Sequence, residues 1–212
     1  MTKPEHKFFE RFLDNDLDDL YDYLNVKNDE LCSGKLVTIP QEVLSKHSKE
    51  TGGATQFGMY YNIFNFDHPG IQSLKASLKD GILEATQYYG IDFDSSNYMI
   101  HGWFNQDSKT QGNSSGVSPL KNDMFFHDHM GGEGAPVFHG YYCVNAEPSS
   151  TFYKIDGITP FENINKNNRA IISETGHPHG RDDWFQDKPR ITIAYDISPA
   201  ENGTNKDLWI TL

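Results

Sequence analysis

The second half of the chain alternates between short apolar segments and turn residues. Seven segments there are rich in β-branched and aromatic residues, and Gly, Pro, Asn and Asp separate them. They read MIHGWFN, FFHDHM, HGYYCVN, TFYKI, RAIISE, RITIAYDI and DLWITL. So many short strands in one region predict a jelly roll or a related barrel.

The first half has a mixed pattern. FFERFLDNDLDDLYDYL and IQSLKASLKDGILEATQYYG carry apolar residues at helical spacing, whereas KLVTI reads as a strand. The fold class predicted is therefore α+β, mainly β: a jelly-roll or cupin-like barrel with N-terminal supporting helices. We expect a single domain over 1–212, with 1–97 as support and 98–212 as the barrel core. The polar stretch 105–123 reads as a long loop, of the kind that often forms a lid.

Charge and cysteine content limit the binding partners and the cellular compartment that we expect. The net charge of -12 repels phosphate backbones, so we expect no nucleic-acid partner. Cys32 and Cys143 lie far apart, and neither an apolar leader nor an apolar run of membrane length is present. These features predict a reduced, cytoplasmic protein with no membrane partner. The oligomeric state is left open.

Two histidines in FFHDHM are candidate metal ligands. Successive side chains of a strand point to opposite faces, so His127 and His129 share a face and Asp128 points away. Two imidazoles on one face can converge on one ion, and imidazole suits iron, zinc, copper and nickel. A third ligand must come from elsewhere in the chain.

Two later segments add to this pattern. SETGHPHGRDDW offers His177 and His179 at a strand end or turn, where the mouth of a barrel would lie. RITIAYDI opens with Arg190, and its alternation puts Arg190, Thr192 and Ala194 on one face. An arginine buried in a strand needs an anionic partner. That partner is either an internal Asp or Glu, or a dicarboxylate ligand bound at two points.

Five short motifs occur in an order that resembles a known family. They are WFN (103–105), HDH (127–129), HGYYCV (139–144), PHG (178–180) and RITIAYDI (190–197). In order and spacing this set is similar to the iron(II)- and 2-oxoglutarate-dependent oxygenases, in particular a prolyl-hydroxylase-like group of phage and bacterial genomes. The resemblance covers about the C-terminal half of the chain. It implies a double-stranded β-helix, which is a form of jelly roll.

The resemblance also implies a set of site residues. His127 would be the first iron ligand and His179 the distal one. Arg190 would bind the far carboxylate of 2-oxoglutarate. The cosubstrate-binding residues implied are Arg190, Thr192, Tyr142 and Asn105.

The third metal ligand is where this sequence departs from the larger superfamily. That superfamily usually has Asp or Glu two residues after the first ligand, and here the position holds His129. Two arrangements stay open. One is a three-histidine site of His127, His129 and His179, and the other is a distorted strand that brings in Asp128.

The activity implied is that of an iron(II)- and 2-oxoglutarate-dependent dioxygenase. Such an enzyme hydroxylates an aliphatic carbon of a peptide side chain or a small metabolite with O2, and releases succinate and CO2. The protein's part would be to hold open coordination positions, orient the cosubstrate through Arg190 and exclude water.

Two other readings remain. HDHMGGEGAPVFHG also matches most of a cupin motif, in which Glu133 joins His127 and His129 in a metal-dependent dioxygenase or isomerase. Arg190 then has no stated role. The second reading is a non-catalytic jelly-roll binding module, whose histidines satisfy hydrogen bonds in the core or at its rim.

Overall fold

The structure is a computed structural model that describes residues 5–47, 53–91, 94, 97–109, 126–129, 137–202 and 207–212. The helices are α1 (Leu17–Cys32), α2 (Gln41–Leu44), α3 (Gly53–Gln56) and α4 (Pro69–Tyr89), with 3-10 turns at Gly58–Tyr60, Ile63–Asn65 and Ala200–Asn202. The strands are β1 (Phe9–Phe12), β2 (Tyr98–Asp107), β3 (Phe138–Asn145), β4 (Ser150–Lys154), β5 (Pro160–Ile164), β6 (Arg169–Glu174), β7 (His179–Arg181), β8 (Arg190–Pro199) and β9 (Ile210–Thr211).

These strands form two antiparallel sheets. The larger sheet has the order β1-β6-β3-β8-β2-β9, and the smaller has the order β5-β4-β7. The segment 126–129 lies beside β7, where the amides and carbonyls of His127 and His179 exchange hydrogen bonds of 3.0 and 2.8 Å. The mainly β fold, a double-stranded β-helix, is confirmed.

The central strands explain why the larger sheet has two different faces. β2 and β8 pair over ten residues in one register, from Tyr98 opposite Pro199 to Asp107 opposite Arg190. One face carries residues such as Ile100, Phe104 and Ile193, which join the main apolar core with the helices. The opposite face of the sheet carries the polar side chains described below.

The two long helices cover the apolar face of the larger sheet. α1 begins after Asp16, whose side chain accepts a hydrogen bond from the Asp19 amide. α4 begins with Pro69 and ends at Gly90, which has a φ of 67°. The buried residues of these helices pack into the main core, among them Leu20, Leu24, Leu74, Leu78 and Ile82. The predicted supporting helices are therefore present.

Several predicted elements differ from the structure. The start of FFERFLDNDLDDLYDYL is the strand β1, which pairs with β6, and the helix begins only at Leu17. KLVTI (35–39) is not a strand, although Leu36, Val37 and Ile39 contact the core. β5 and β7 were not predicted, because β5 is mostly exposed and β7 is only three residues long.

The predicted loop and the HDH segment lie partly outside the described residues. Residues 105–107 of the predicted loop belong to β2, and 110–123 lie outside the described part. Of FFHDHM, residues 126–129 are described, and they form one bridge rather than a strand. No disulfide joins Cys32 and Cys143. Among the described residues, no helix has the length and apolar character needed to cross a membrane.

Candidate active site

A cavity of about 700 Å³ lies between the two sheets. Its walls come from the polar face of β2, β3 and β8, from β7, and from the segment 126–129. This volume is in the usual range for a small-molecule site. The candidate metal ligands and Arg190 both line it.

Three histidines converge in this cavity. His127, His129 and His179 offer ring nitrogens that all lie within 4.8 Å of one another. The ring centroids of His127 and His179 are 4.5 Å apart, and that of His129 is 5.5 and 5.1 Å from them. Three imidazole nitrogens this close can hold one divalent transition metal ion, iron(II) included. Asp128, the alternative ligand, is exposed, and its carboxylate is not part of this group.

Asp196 on β8 orients one of these histidines. The Nδ1 of His129 donates to Oδ1 of Asp196 at 2.6 Å, and the two side chains are only 13% and 15% exposed. Burial lowers the pKa of His129, but the hydrogen bond and the charge of Asp196 outweigh it, and the net pKa is raised. Because Nδ1 is engaged, Nε2 is the nitrogen left to bind a metal. The sequence alternation of Arg190, Thr192 and Ala194 continues to Asp196, but this residue was not predicted.

Two other histidines of the cavity, His179 and His139, favour the neutral form of the imidazole ring. Burial, followed by the nearby His127 and His129, lowers the pKa of His179 to about 3, so His179 is neutral at physiological pH. His139 on β3 was not predicted; its ring lies 4.7 Å from that of His179. Burial and the surrounding histidines hold the pKa of His139 well below its usual value. Its Nε2 has no hydrogen-bond partner among the described residues.

Arg190 lies in another part of the same cavity and is almost fully buried. Its Nε donates to the Ser149 hydroxyl at 3.2 Å, and one terminal nitrogen lies 3.4 Å from the Asp107 carboxylate. Asp107 makes a shorter contact, 2.7 Å, with Arg181. An internal acidic partner is therefore present, but Arg190 shares it with a second arginine.

The remaining residues of the implied cosubstrate set divide between the two faces of the sheet. Thr192 and Asn105 line the cavity, and the Asn105 amide lies 3.5 Å from the Thr192 hydroxyl. Tyr142 does not line it: the hydroxyl of Tyr142 bonds Asn15 and Asn168 on the opposite face. The cavity-lining tyrosine is Tyr141, which pairs with Ala194.

The placement of Tyr142 corrects the assignment carried over from the resemblance. Strand residues alternate, so only one tyrosine of the pair can share a face with Arg190 and Thr192. The register of β3 on β8 puts Tyr141 on that face. The same alternation places His139 there, and a reading of HGYYCV by parity would have found both residues.

Comparison with solved structures assigns this architecture to the fold of the iron(II)- and 2-oxoglutarate-dependent oxygenases. A prolyl-4-hydroxylase from Pseudomonas putida has a TM-score of 0.52 with 8% sequence identity, over 92% of this chain and 87% of that one. A candidate oxygenase from Shewanella oneidensis has a TM-score of 0.51 with 8% identity, over 92% and 82%. No protein-family model matches the sequence, and no curated protein matches it. At these identities the likeness establishes the fold.

Proposed function

We propose that this chain is an iron(II)- and 2-oxoglutarate-dependent oxygenase that hydroxylates an aliphatic carbon of a peptide side chain or a small metabolite. One observation carries the proposal. A single cavity of about 700 Å³ contains both a converging group of three histidines and a buried arginine that shares its ion-pair partner Asp107 with Arg181. The first suits a metal, and the second suits the distal carboxylate of a dicarboxylate cosubstrate.

The donor set fits iron(II). His127, His129 and His179 would hold the ion, and Asp196 would fix the ring of His129 and increase its basicity. Bound iron(II) would supply the redox chemistry that couples oxidative decarboxylation of 2-oxoglutarate to hydroxylation of the substrate. Three neutral ligands leave more positive charge on the metal than a set with a carboxylate. The Asp196 carboxylate, one hydrogen bond away, partly offsets that difference.

The arginine side of the cavity fits a carboxylate ligand. Arg190 has no close two-point contact with Asp107, which is 3.4 Å away and is held more tightly by Arg181. A guanidinium buried with so weak a partner gains most from an added carboxylate that accepts two parallel hydrogen bonds. Thr192 and Tyr141 put hydroxyls on the same face of the sheet, where they would bind the same carboxylate.

The substrate would enter where the rim is aromatic. Trp103 lines the cavity and stacks on His129, with ring centroids 6.0 Å apart. Met59, which is 68% exposed, lies at the outer part of the lining. Apolar and aromatic groups here would bind an aliphatic substrate and exclude water from the reacting carbon. The cavity is large enough for a small molecule or a single side chain beside the cosubstrate.

The test is a titration of 2-oxoglutarate into the iron(II)-loaded protein without oxygen, followed by the charge-transfer absorbance of the metal–keto acid chelate. We expect Arg190→Ala to cost on the order of 2–5 kcal/mol of cosubstrate binding, because an anion loses its buried partner. Arg190→Lys should recover part of that loss, since an ammonium cannot make the planar two-point contact. Iron affinity should stay within about twofold.

Arg181→Lys is the matched control, because Arg181 lines the same cavity and shares Asp107 with Arg190. It should change cosubstrate affinity by less than about tenfold. Thermal melts of each variant show whether it is folded. An unchanged 2-oxoglutarate affinity in folded Arg190→Ala would make this arginine a structural ion-pair residue and refute the proposal. With wild-type protein, succinate release against a library of amino acids and peptides would identify the substrate class.

A further inference from the structure

A second group of metal-ligand side chains lies beside the candidate active site. His6, Glu174 and His177 offer two imidazole nitrogens and a carboxylate oxygen, all within 4.8 Å of one another. All three side chains are half-buried, and none of them lines the active-site cavity. This is a separate group of ligands, although His177 is only two residues from His179.

The sheet and one turn bring these three residues together. β1 pairs antiparallel with β6, with Phe9 opposite Ile172, so the chain that enters β1 runs past the end of β6. His6 therefore comes close to Glu174, the last residue of β6, and its Nε2 lies 3.5 Å from the Ser173 hydroxyl. The turn that follows contains Gly176, whose φ of 96° is a conformation that glycine adopts readily.

Directly after Gly176, His177 lies against His6. Their ring centroids are 4.3 Å apart at an interplanar angle of 78°. An edge contact of this kind leaves ring nitrogens of both residues close to the same carboxylate. Glu174 and His177 are only three residues apart, but His6 is far from both in sequence, so the convergence of all three is a property of the fold.

We infer that His6, Glu174 and His177 form a second metal site that binds zinc or a similar divalent transition-metal ion. Two histidines and one carboxylate are a donor set that zinc binds, with water completing its four-coordinate shell. Because the group lies outside the cavity, the ion would act as a clip. It joins the segment before β1 to the turn that leads into β7, whose first residue is His179.

The two sites would be mechanically linked. The buried ring of His139 lies close to His179 of the first site, and the histidines of both groups surround it. The backbone carbonyl of His177 lies 3.3 Å from Nδ1 of His179. A metal that fixes His177 would therefore also fix the ring of the distal ligand of the first site.

The test measures metal stoichiometry in the full chain. Protein stripped with a chelator is loaded with excess Zn2+ and desalted, and its zinc content is then measured by mass spectrometry. We expect two ions per wild-type chain, and one in His6→Ala and in Glu174→Gln. His127→Ala should also hold one ion, and the double variant His6→Ala/His127→Ala none. His47→Ala, a histidine outside both groups, should keep two.

A second measurement, the melting temperature, distinguishes loss of the metal site from misfolding of a variant. Zinc should raise the melting temperature of His127→Ala, which retains only the proposed clip, and should leave that of the double variant unchanged. All variants should melt alike in chelator, since His6 and Glu174 are only half-buried. A zinc content that stays at the wild-type value in either His6→Ala or Glu174→Gln overturns the inference. So does equal stabilisation of His127→Ala and the double variant.

Discussion

Replacing Asp196 by Asn is the sharpest perturbation of the candidate metal centre. The substitution keeps the size and shape of the side chain and removes its charge. Its Oδ1 can still accept the hydrogen bond that Nδ1 of His129 donates at 2.6 Å, so the histidine keeps its tautomer. The change therefore isolates the electrostatic part of the contact between Asp196 and the ligand.

The expected loss is a weakening of metal binding and not its abolition. Removing a partner that orients a metal-bound histidine typically costs 10- to 100-fold in metal affinity, which is about 1.4–2.8 kcal/mol. The side chains of His129 and Asp196 are 13% and 15% exposed, so water and salt screen their interaction poorly. We therefore expect a loss of at least about tenfold, with little dependence on ionic strength.

The assay is a competition titration of the metal-free protein with iron(II), or with cobalt(II) as a stable substitute, against a chromophoric chelator. Asp128→Asn is the matched control, because it is the same substitution one residue from two of the candidate ligands. Asp128 is exposed and lies outside the ligand group, so its variant should bind metal within about twofold of wild type. His129→Ala should abolish binding at this site.

The reverse result would refute this reasoning. If Asp128→Asn loses the metal while Asp196→Asn keeps full affinity, then the carboxylate of Asp128 is a ligand and the segment is distorted there. His129→Ala would then retain iron. The three-histidine site would be replaced by two histidines and one carboxylate.

Three further outcomes follow from the geometry. Tyr141→Phe should weaken 2-oxoglutarate binding by about 1.5–3 kcal/mol in the charge-transfer titration, whereas Tyr142→Phe should leave it unchanged and lower stability by roughly 1 kcal/mol; equal effects would contradict the assigned faces. The metal-free protein should lose stability as pH falls below about 6.5. Below that pH, His139 and His179 bind protons in the unfolded chain but stay neutral in the folded protein, where burial lowers their pKa values. Urea unfolding between pH 6.5 and 5 should show up to about 1.4 kcal/mol per pH unit for each residue, and a flat profile would be inconsistent with their lowered pKa values. Iron(II) at a hundred times its dissociation constant should add about 2.7 kcal/mol to the free energy of unfolding, an increase that excess chelator removes.

Sequence patterns predicted the elements whose residues alternate or repeat strongly. β2, β3 and β8 carry unbroken strand patterns, and α4 has helical spacing from its Pro start to its Gly end. β1 was misread as helix because its short apolar pattern runs directly into that of α1. KLVTI has β-forming residues, but no strand in the described part of the chain pairs with it. The β-strand propensity of a segment does not show whether another strand lies beside it to pair with.

The sequence predicted those site residues that strand alternation within a single motif places on one face of a strand. His127, His129, His179, Arg190 and Thr192 were named from strand parity and the family resemblance, and the structure brings them into one cavity. Asp196, His139 and Tyr141 follow from the same strand parity and were overlooked, whereas Asp107 depends on pairing between distant strands. Asp107 lies opposite Arg190 only through the register of β2 on β8, and it was read as part of a loop.

The position of β8 in the larger sheet determines the order in which this protein can be completed during synthesis. β8 lies between β2 and β3, yet it is made long after both of them. Until residues 190–199 leave the ribosome, β2 and β3 each have an open edge, which is the kind of surface that promotes aggregation. Asp196 and Arg190 are both on β8, so neither side of the cavity exists in the shorter nascent chain. If the proposed function holds, iron and cosubstrate would therefore bind a finished sheet and could not guide its assembly.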